Sequence, residues 1–140
     1  MTRKTKDGIV VYNPEDFEKM RRAGKLAAEV LDYITDYVDV GVTTGELDDL
    51  CRKYIESHGA VPACLGYHGY PKSTCISINH VICHGIPDDR KLADGDILNI
   101  DVTVILDGWF GDTSRMYYAG KPKLKATRLC DVTYECMMRG

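Results

Sequence analysis

The run from Asp94 to Met116, DGDILNIDVTVILDGWFGDTSRM, constrains this chain more than any other stretch, because it specifies a β-hairpin with one polar face. Between Ile97 and Leu106 the even positions Leu98, Ile100, Val102, Val104 and Leu106 are apolar. The odd positions Asn99, Asp101 and Thr103 are polar, which is the two-residue period of a half-buried strand. Asp107-Gly108 then offers the positive-φ pair of a tight two-residue turn. That turn pairs Leu106 with Trp109, Val104 with Gly111, Thr103 with Asp112 and Asp101 with Ser114, so Asp101, Thr103, Asp112 and Ser114 share a face. On this register Asp101 and Asp112 are diagonal neighbours roughly 7–8 Å apart at the backbone. Their carboxylates then repel unless a proton or a cation lies between them. A bulge near Gly111 would shift the register by one residue and undo the arrangement.

Two readings of this face compete. A solvated polar face carrying two unrelated aspartates needs no function. Yet aspartate is poor in strand interiors, and here two of them sit amid strand formers. A hard divalent cation held by oxygen ligands accounts for both, and the hairpin has no cysteine or histidine with which to close a zinc site.

The 140 residues fit one domain with a sizeable core. The balance of 18 basic against 21 acidic residues carries no nucleic-acid footprint. Arg3, Lys4 and Lys6 lack the apolar region of a signal peptide, so residues 1–12 read as a flexible solvated tail. No apolar run approaches the roughly 18 residues of a membrane span. Cys51, Cys64, Cys75, Cys83, Cys130 and Cys136 form no CxxC pair and read as reduced thiols used as small hydrophobes, which implies the cytoplasm.

Asn13-Pro14 opens a helix, with Asn as N-cap and Glu15 and Asp16 in the first turn. Phe17, Met20, Gly24, Ala27, Leu31, Ile34 and Val38 form its predicted stripe over six or seven turns. A capping box of Thr43 and Glu46 precedes Leu47, Leu50, Cys51, Tyr54 and Ile55, and Gly59 with Pro62 closes this second helix. Ala63 to Ser73, ACLGYHGYPKS, reads as an ordered surface loop, and Thr74 to His84, TCISINHVICH, as a strand. His84 lies at its end beside Gly85, while His58 and His80 carry structural readings. Leu129, Val132, Cys136 and Met137 trace one face of a third helix.

Together, ACLGYHGYPKS, TCISINHVICHGIPDD and DGDILNIDVTVILDGWFGDTSRMYYAGKP resemble the N-terminal half of the bacterial type I methionine aminopeptidases, from about Asn13 to the end of the chain. The resemblance implies an α+β, pita-bread fold with an antiparallel sheet packed by helices. It implies removal of the initiator methionine from nascent proteins by hydrolysis at two divalent ions, whether manganese, iron, cobalt or zinc. Those ions would activate a shared water, and one would hold the substrate's free amine. By the same resemblance Asp101 is a metal ligand, Asp112 bridges the two ions, and His84 contacts the substrate near its scissile amide. Cys64, Tyr67, His68, Tyr70 and Cys75 line or flank the pocket for the methionine side chain, and the backbone about Asn79 and Val81 holds a structural cation. Nascent peptides are the implied partners, with a transient ribosome contact and a monomeric whole enzyme.

The family takes one more histidine and two glutamate ligands, and a second active-site histidine, from its C-terminal half. Here no histidine follows His84, and Glu135 is the one glutamate after the hairpin. Residues 13–140 are therefore expected to be the N-terminal half of the catalytic domain, inactive alone and with apolar surface uncovered. The competing reading is a pita-bread relative that has lost catalysis and binds a protein or peptide partner. Retention of Asp101, Asp112 and His84 in their motifs favours the enzyme. A proline-specific peptidase of the same fold ranks third.

Overall fold

The computed structural model describes residues 3–140. Strands β1 (Arg3–Lys4) and β2 (Val10–Val11) lead into helix α1 (Pro14–Ile34), a 3-10 turn at Thr35–Tyr37 and helix α2 (Thr44–Ser57). Then follow β3 (Val61–Pro62), a 3-10 turn at Tyr67–Gly69, β4 (Cys75–Ile78), β5 (Ile97–Leu106), β6 (Trp109–Tyr118) and α3 (Leu124–Arg139).

Strand β5 is the axis of the sheet. Its even side chains Leu98, Ile100, Val102 and Val104 are fully buried against Val30, Leu31 and Ile34 of α1 and Leu47 and Ile55 of α2. Each such side chain contributes roughly 1.5–3 kcal/mol on burial. β6 pairs with β5 along its whole length in the register read from the sequence, with Val104 opposite Gly111 and no bulge. Asp107 (φ 51°) and Gly108 (φ 81°) make the turn. The other edge of β5 carries β3 and β4 end to end, Pro62 opposite Val104 and Cys75 opposite Asp101, all antiparallel.

The predicted capping box forms at α2, and the predicted Asn13 N-cap of α1 turns out to be a box as well. Asn13 accepts from the Asp16 N–H while Asp16 accepts from the Asn13 N–H, each at 3.1 Å. Thr43 and Glu46 do the same for α2, and Gly59 (φ 73°) turns the chain out of that helix. Burial along α1 begins at Ala23, so Phe17 and Met20, placed on the core stripe by periodicity, remain 46% and 44% exposed. The contact starts there because α1 lies directly on β6: a Cβ at Gly111 would sit 2.2 Å from the Ala23 carbonyl oxygen.

Three other expectations change. Where the sequence reads a tail, Arg3–Lys4 and Val10–Val11 pair as a small exposed hairpin closed through Gly8. The strand expected over residues 74–84 ends at Ile78, because Asn79 adopts φ 53° and turns the chain, leaving His80 in a turn and Ile82 94% exposed. In α3, Cys130 is the buried residue, so the face of Leu129, Val132 and Met137 looks outward. Among the described residues no helix is long and apolar enough to cross a membrane.

Candidate metal centre and cleft

The face of the hairpin opposite the core holds Asp101 and Thr103 on β5 and Asp112 and Ser114 on β6. Alternation sends these side chains away from α1, and the tight turn fixes which of them meet. The Asp101 carboxyl is held above the usual carboxylate range, first by burial and then by the charge of Asp112 and a hydrogen bond to it, with His84 opposing. Two carboxylates this close repel unless a proton or a cation lies between them. As a donor set they fit one flank of a site for a hard, oxygen-preferring ion. Among the described residues, no group of three or more His, Cys, Asp and Glu side chains comes together to complete such a site.

A cleft of about 740 Å³ opens on this face. It is lined by every pocket residue the sequence proposes, Cys64, Tyr67, His68, Tyr70 and Cys75, together with His84, Asp101 and Asp112. The loop that brings the first four is pinned at both ends. At its start the Ala63 N–H donates to the Thr103 carbonyl at 2.9 Å. At its close, buried Asp48 of α2 accepts from the Ser73 N–H (3.0 Å), the Thr74 N–H (2.7 Å) and the Thr74 hydroxyl (2.7 Å). Within it Gly66 (φ 83°) donates its N–H to the Tyr70 carbonyl at 2.8 Å, and the His68 ring stands edge-on to Tyr67 at 4.4 Å.

His84 reaches the cleft from a returning loop rather than from a strand end, with φ 55°. Gly85 is stitched to β4: the Ile76 N–H donates to the Gly85 carbonyl at 2.8 Å and the Gly85 N–H to Ser77 Oγ at 3.0 Å. The Tyr70 hydroxyl lies 3.2 Å from the same carbonyl and donates to the Thr74 carbonyl at 2.9 Å. A Cβ at Gly85 would fall 2.2 Å from the Ile76 carbonyl oxygen, so the close approach that places His84 requires glycine.

Burial, reinforced by neighbouring Cys75, pushes the Cys64 thiol up to about 11, and burial with a hydrogen bond to Cys75 raises the Tyr70 hydroxyl. Cys64 and Tyr70 therefore face the cleft in neutral form.

Asn79 and Val81 stand apart from the cleft lining. The Asn79 side chain accepts from the Ile97 N–H at 3.1 Å and donates to Asp96 at 2.7 Å, so a cation there would fall to backbone carbonyls. His58 stacks on Tyr54 at 4.2 Å with Nδ1 2.8 Å from the Tyr54 carbonyl, a structural histidine. Sequence reasoning did not select Phe110, Ile86 and Ser77. Phe110 shares the parity of Asp112 and lines the cleft, a signal that alternation already contained. Ile86 and Ser77 act through loop packing, which no periodicity reports.

The model of metallopeptidase family M24 matches residues 18–140. The methionine aminopeptidase of Rickettsia prowazekii is 63% identical over 132 residues, covering 94% of this chain and 51% of that protein. That of Escherichia coli K12 is 64% identical over 132 residues, covering 92% and 50%. The chain thus spans about half the length of the curated relatives it matches. The crystal structure of the Rickettsia prowazekii methionine aminopeptidase superposes with a TM-score of 0.91 at 59% identity, covering 99% of this chain and 53% of that one. A Xaa-Pro dipeptidase from Bacillus anthracis shares the fold at a TM-score of 0.80 and 16% identity, covering 92% and 35%. The architecture is that of the pita-bread fold.

Proposed function

The chain belongs to metallopeptidase family M24, and from that premise we propose that residues 13–140 form the N-terminal half of the catalytic domain of a methionine aminopeptidase, which removes the initiator methionine from nascent proteins. The observation that carries the reading is the convergence of Asp101, Asp112 and His84 on one cleft. A partner-binding module has no need of two carboxyls set side by side on a cleft wall.

In this reading Asp101 and Asp112 hold a pair of divalent ions. When bound, these ions supply Lewis acidity that makes water nucleophilic near neutral pH, and an anchor for a free amine. Manganese and iron suit the oxygen ligands; cobalt and zinc are the other candidates. His84 hydrogen-bonds at the scissile amide, held there by the Gly85 stitches. Cys64, Tyr67, His68, Tyr70 and Cys75 receive the thioether side chain on a polarisable wall. The carbonyls of Asn79 and Val81 hold a structural cation. The remaining ligands come from a C-terminal half, with which the protein acts as a monomer in the cytoplasm and meets its substrates at the ribosome.

A chimera that continues this chain with the C-terminal half of the Escherichia coli relative tests the reading. Methionine release from Met-Ala-Ser, abolished by Asp112→Ala, is the expected result. A folded chimera that binds manganese but releases no methionine overturns it.

A further inference from the structure

Two thiols in the cleft are placed to do chemistry of their own. Ala63 is bonded to Thr103 on the free edge of β5, and Cys75 sits opposite Asp101 on that same edge. These are positions two residues apart along β5, or about 6.6 Å. Cys64 follows Ala63 at that gap, on the side toward Cys75, and a disulfide spans Cα atoms about 4.4–6.8 Å apart. The side chains agree with the backbone, since Cys64 and Cys75 both line the same cleft beside Asp101 and Thr103. All six cysteines are free thiols. Cys51 is buried in the core between the helices, Cys130 is buried under α3, and Cys83 and Cys136 are exposed on separate elements.

We propose that Cys64 and Cys75 form a reversible disulfide within the cleft, a modification site driven by hydroperoxides. Cys64 is the more accessible member and meets the oxidant first, through the small thiolate fraction that its raised pKa leaves; Cys75 is 7% exposed and resolves it. The Cys64 sulfur attacks one peroxide oxygen, the O–O bond breaks, and Cys64 sulfenic acid and one water form. The Cys75 sulfur then attacks the Cys64 sulfur, the S–O bond breaks, and the sulfenic hydroxyl leaves as a second water with the Cys75 proton. Two thiols lose two electrons and two protons, and hydrogen peroxide is reduced to two waters. The bond ties the 63–73 loop to β4 across the wall of the cleft. A dithiol reductant restores it. The inference stands on the thiol geometry alone and does not require the metal chemistry above.

The test treats the folded 140-residue chain with hydrogen peroxide, blocks remaining thiols with iodoacetamide, digests without reduction and maps the peptides by mass spectrometry. The expected species joins the Cys64 and Cys75 peptides, lighter by two hydrogens than the free thiols, and disappears with dithiothreitol. Cys64→Ser and Cys75→Ser each remove it. Recovery of Cys64 and Cys75 as alkylated thiols, over-oxidation of Cys64 without a cross-link, or a bond from either to Cys83 overturns the proposal. The wild-type map decides the matter even if either variant fails to fold.

Discussion

Asp101 and Asp112 come together on the wall of one cleft although the two residues are not partners in the β-ladder. Asp101 pairs with Ser114 and Asp112 with Thr103, so the carboxyls meet on the diagonal. Two acids in contact raise the energy of the empty site, and that penalty is what a cation or a shared proton removes.

Replacing one acid therefore separates stability from binding. Asp112→Asn should stabilise the metal-free chain by roughly 0.2–1 kcal/mol, as expected when like charges on neighbouring strands are relieved. It should weaken manganese binding by at least about tenfold, as loss of one of two ligands requires. Thermal unfolding and calorimetric titration with manganese chloride read the two effects on the same sample, and a variant that loses stability while binding manganese unchanged contradicts the site.

The 140-residue chain alone should release no methionine from Met-Ala-Ser, because two carboxyls and His84 leave the ions without further ligands among the described residues. Chromatographic detection of free methionine over a metal-only blank would show that these residues suffice.

Asp48 is buried beneath the cleft loop, and Asp48→Ala orphans the N–H groups of Ser73 and Thr74 and the Thr74 hydroxyl. Unpaired buried donors cost about 1–3 kcal/mol each, partly relieved by water in the space left behind. A loss of about 3 kcal/mol, seen as a fall in Tm on the order of 10 °C, is expected. An unchanged Tm would mean that the loop end is not held from α2.

The pH dependence of stability should carry the signature of Asp96. Burial alone would raise its pKa, but the Ala93 N–H (2.9 Å), the Asn79 amide (2.7 Å) and Arg90 (3.2 Å) together hold it below the usual carboxylate range. A folded-state pKa below the unfolded one means stability that is complete above about pH 4 and lost as pH falls through the folded value. Asp96→Asn should then cost about 2 kcal/mol near pH 7, with the difference from wild type shrinking as pH falls through the folded-state value. Urea unfolding across that pH range measures it; a constant difference would assign the loss to packing.

Gly111→Ala and Gly108→Ala distinguish steric from conformational need. At 111 the new Cβ meets the α1 backbone at 2.2 Å, so helix and sheet must separate, at a cost of about 3 kcal/mol or more. At 108 it meets open space at φ 81°, and about 1–2 kcal/mol of backbone strain is expected. Equal losses by chemical denaturation would refute the direct contact of α1 on β6.

The hairpin, the Asn13 N-cap and the Thr43–Glu46 capping box were legible because each depends on neighbours close in sequence. Alternation from Leu98 to Leu106, the Asp107-Gly108 turn and the Thr43–Glu46 spacing leave one solution apiece. The same local logic misplaced three elements. Ile82 continues the apolar run of TCISINHVIC, yet the positive φ of Asn79, fixed by bonds to Asp96 and Ile97, ends the strand before it. Phe17 and Met20 fit the helical period but precede the point where α1 touches β6. Leu129 and Val132 fit the period of α3, whose contact with the body is made by Cys130.

What the sequence determined by itself was the identity and register of the carboxyl pair, since a period of two and a two-residue turn admit one pairing. What the tertiary structure decided was everything that reaches this pair from elsewhere. The stitched Gly85 that aims His84, the Asp48 anchor beneath the loop, and the meeting of Cys64 with Cys75 all join residues 8 to 26 positions apart or on different elements. Periodicity is silent at such separations, because it records which face a residue takes and not which distant backbone will close against it.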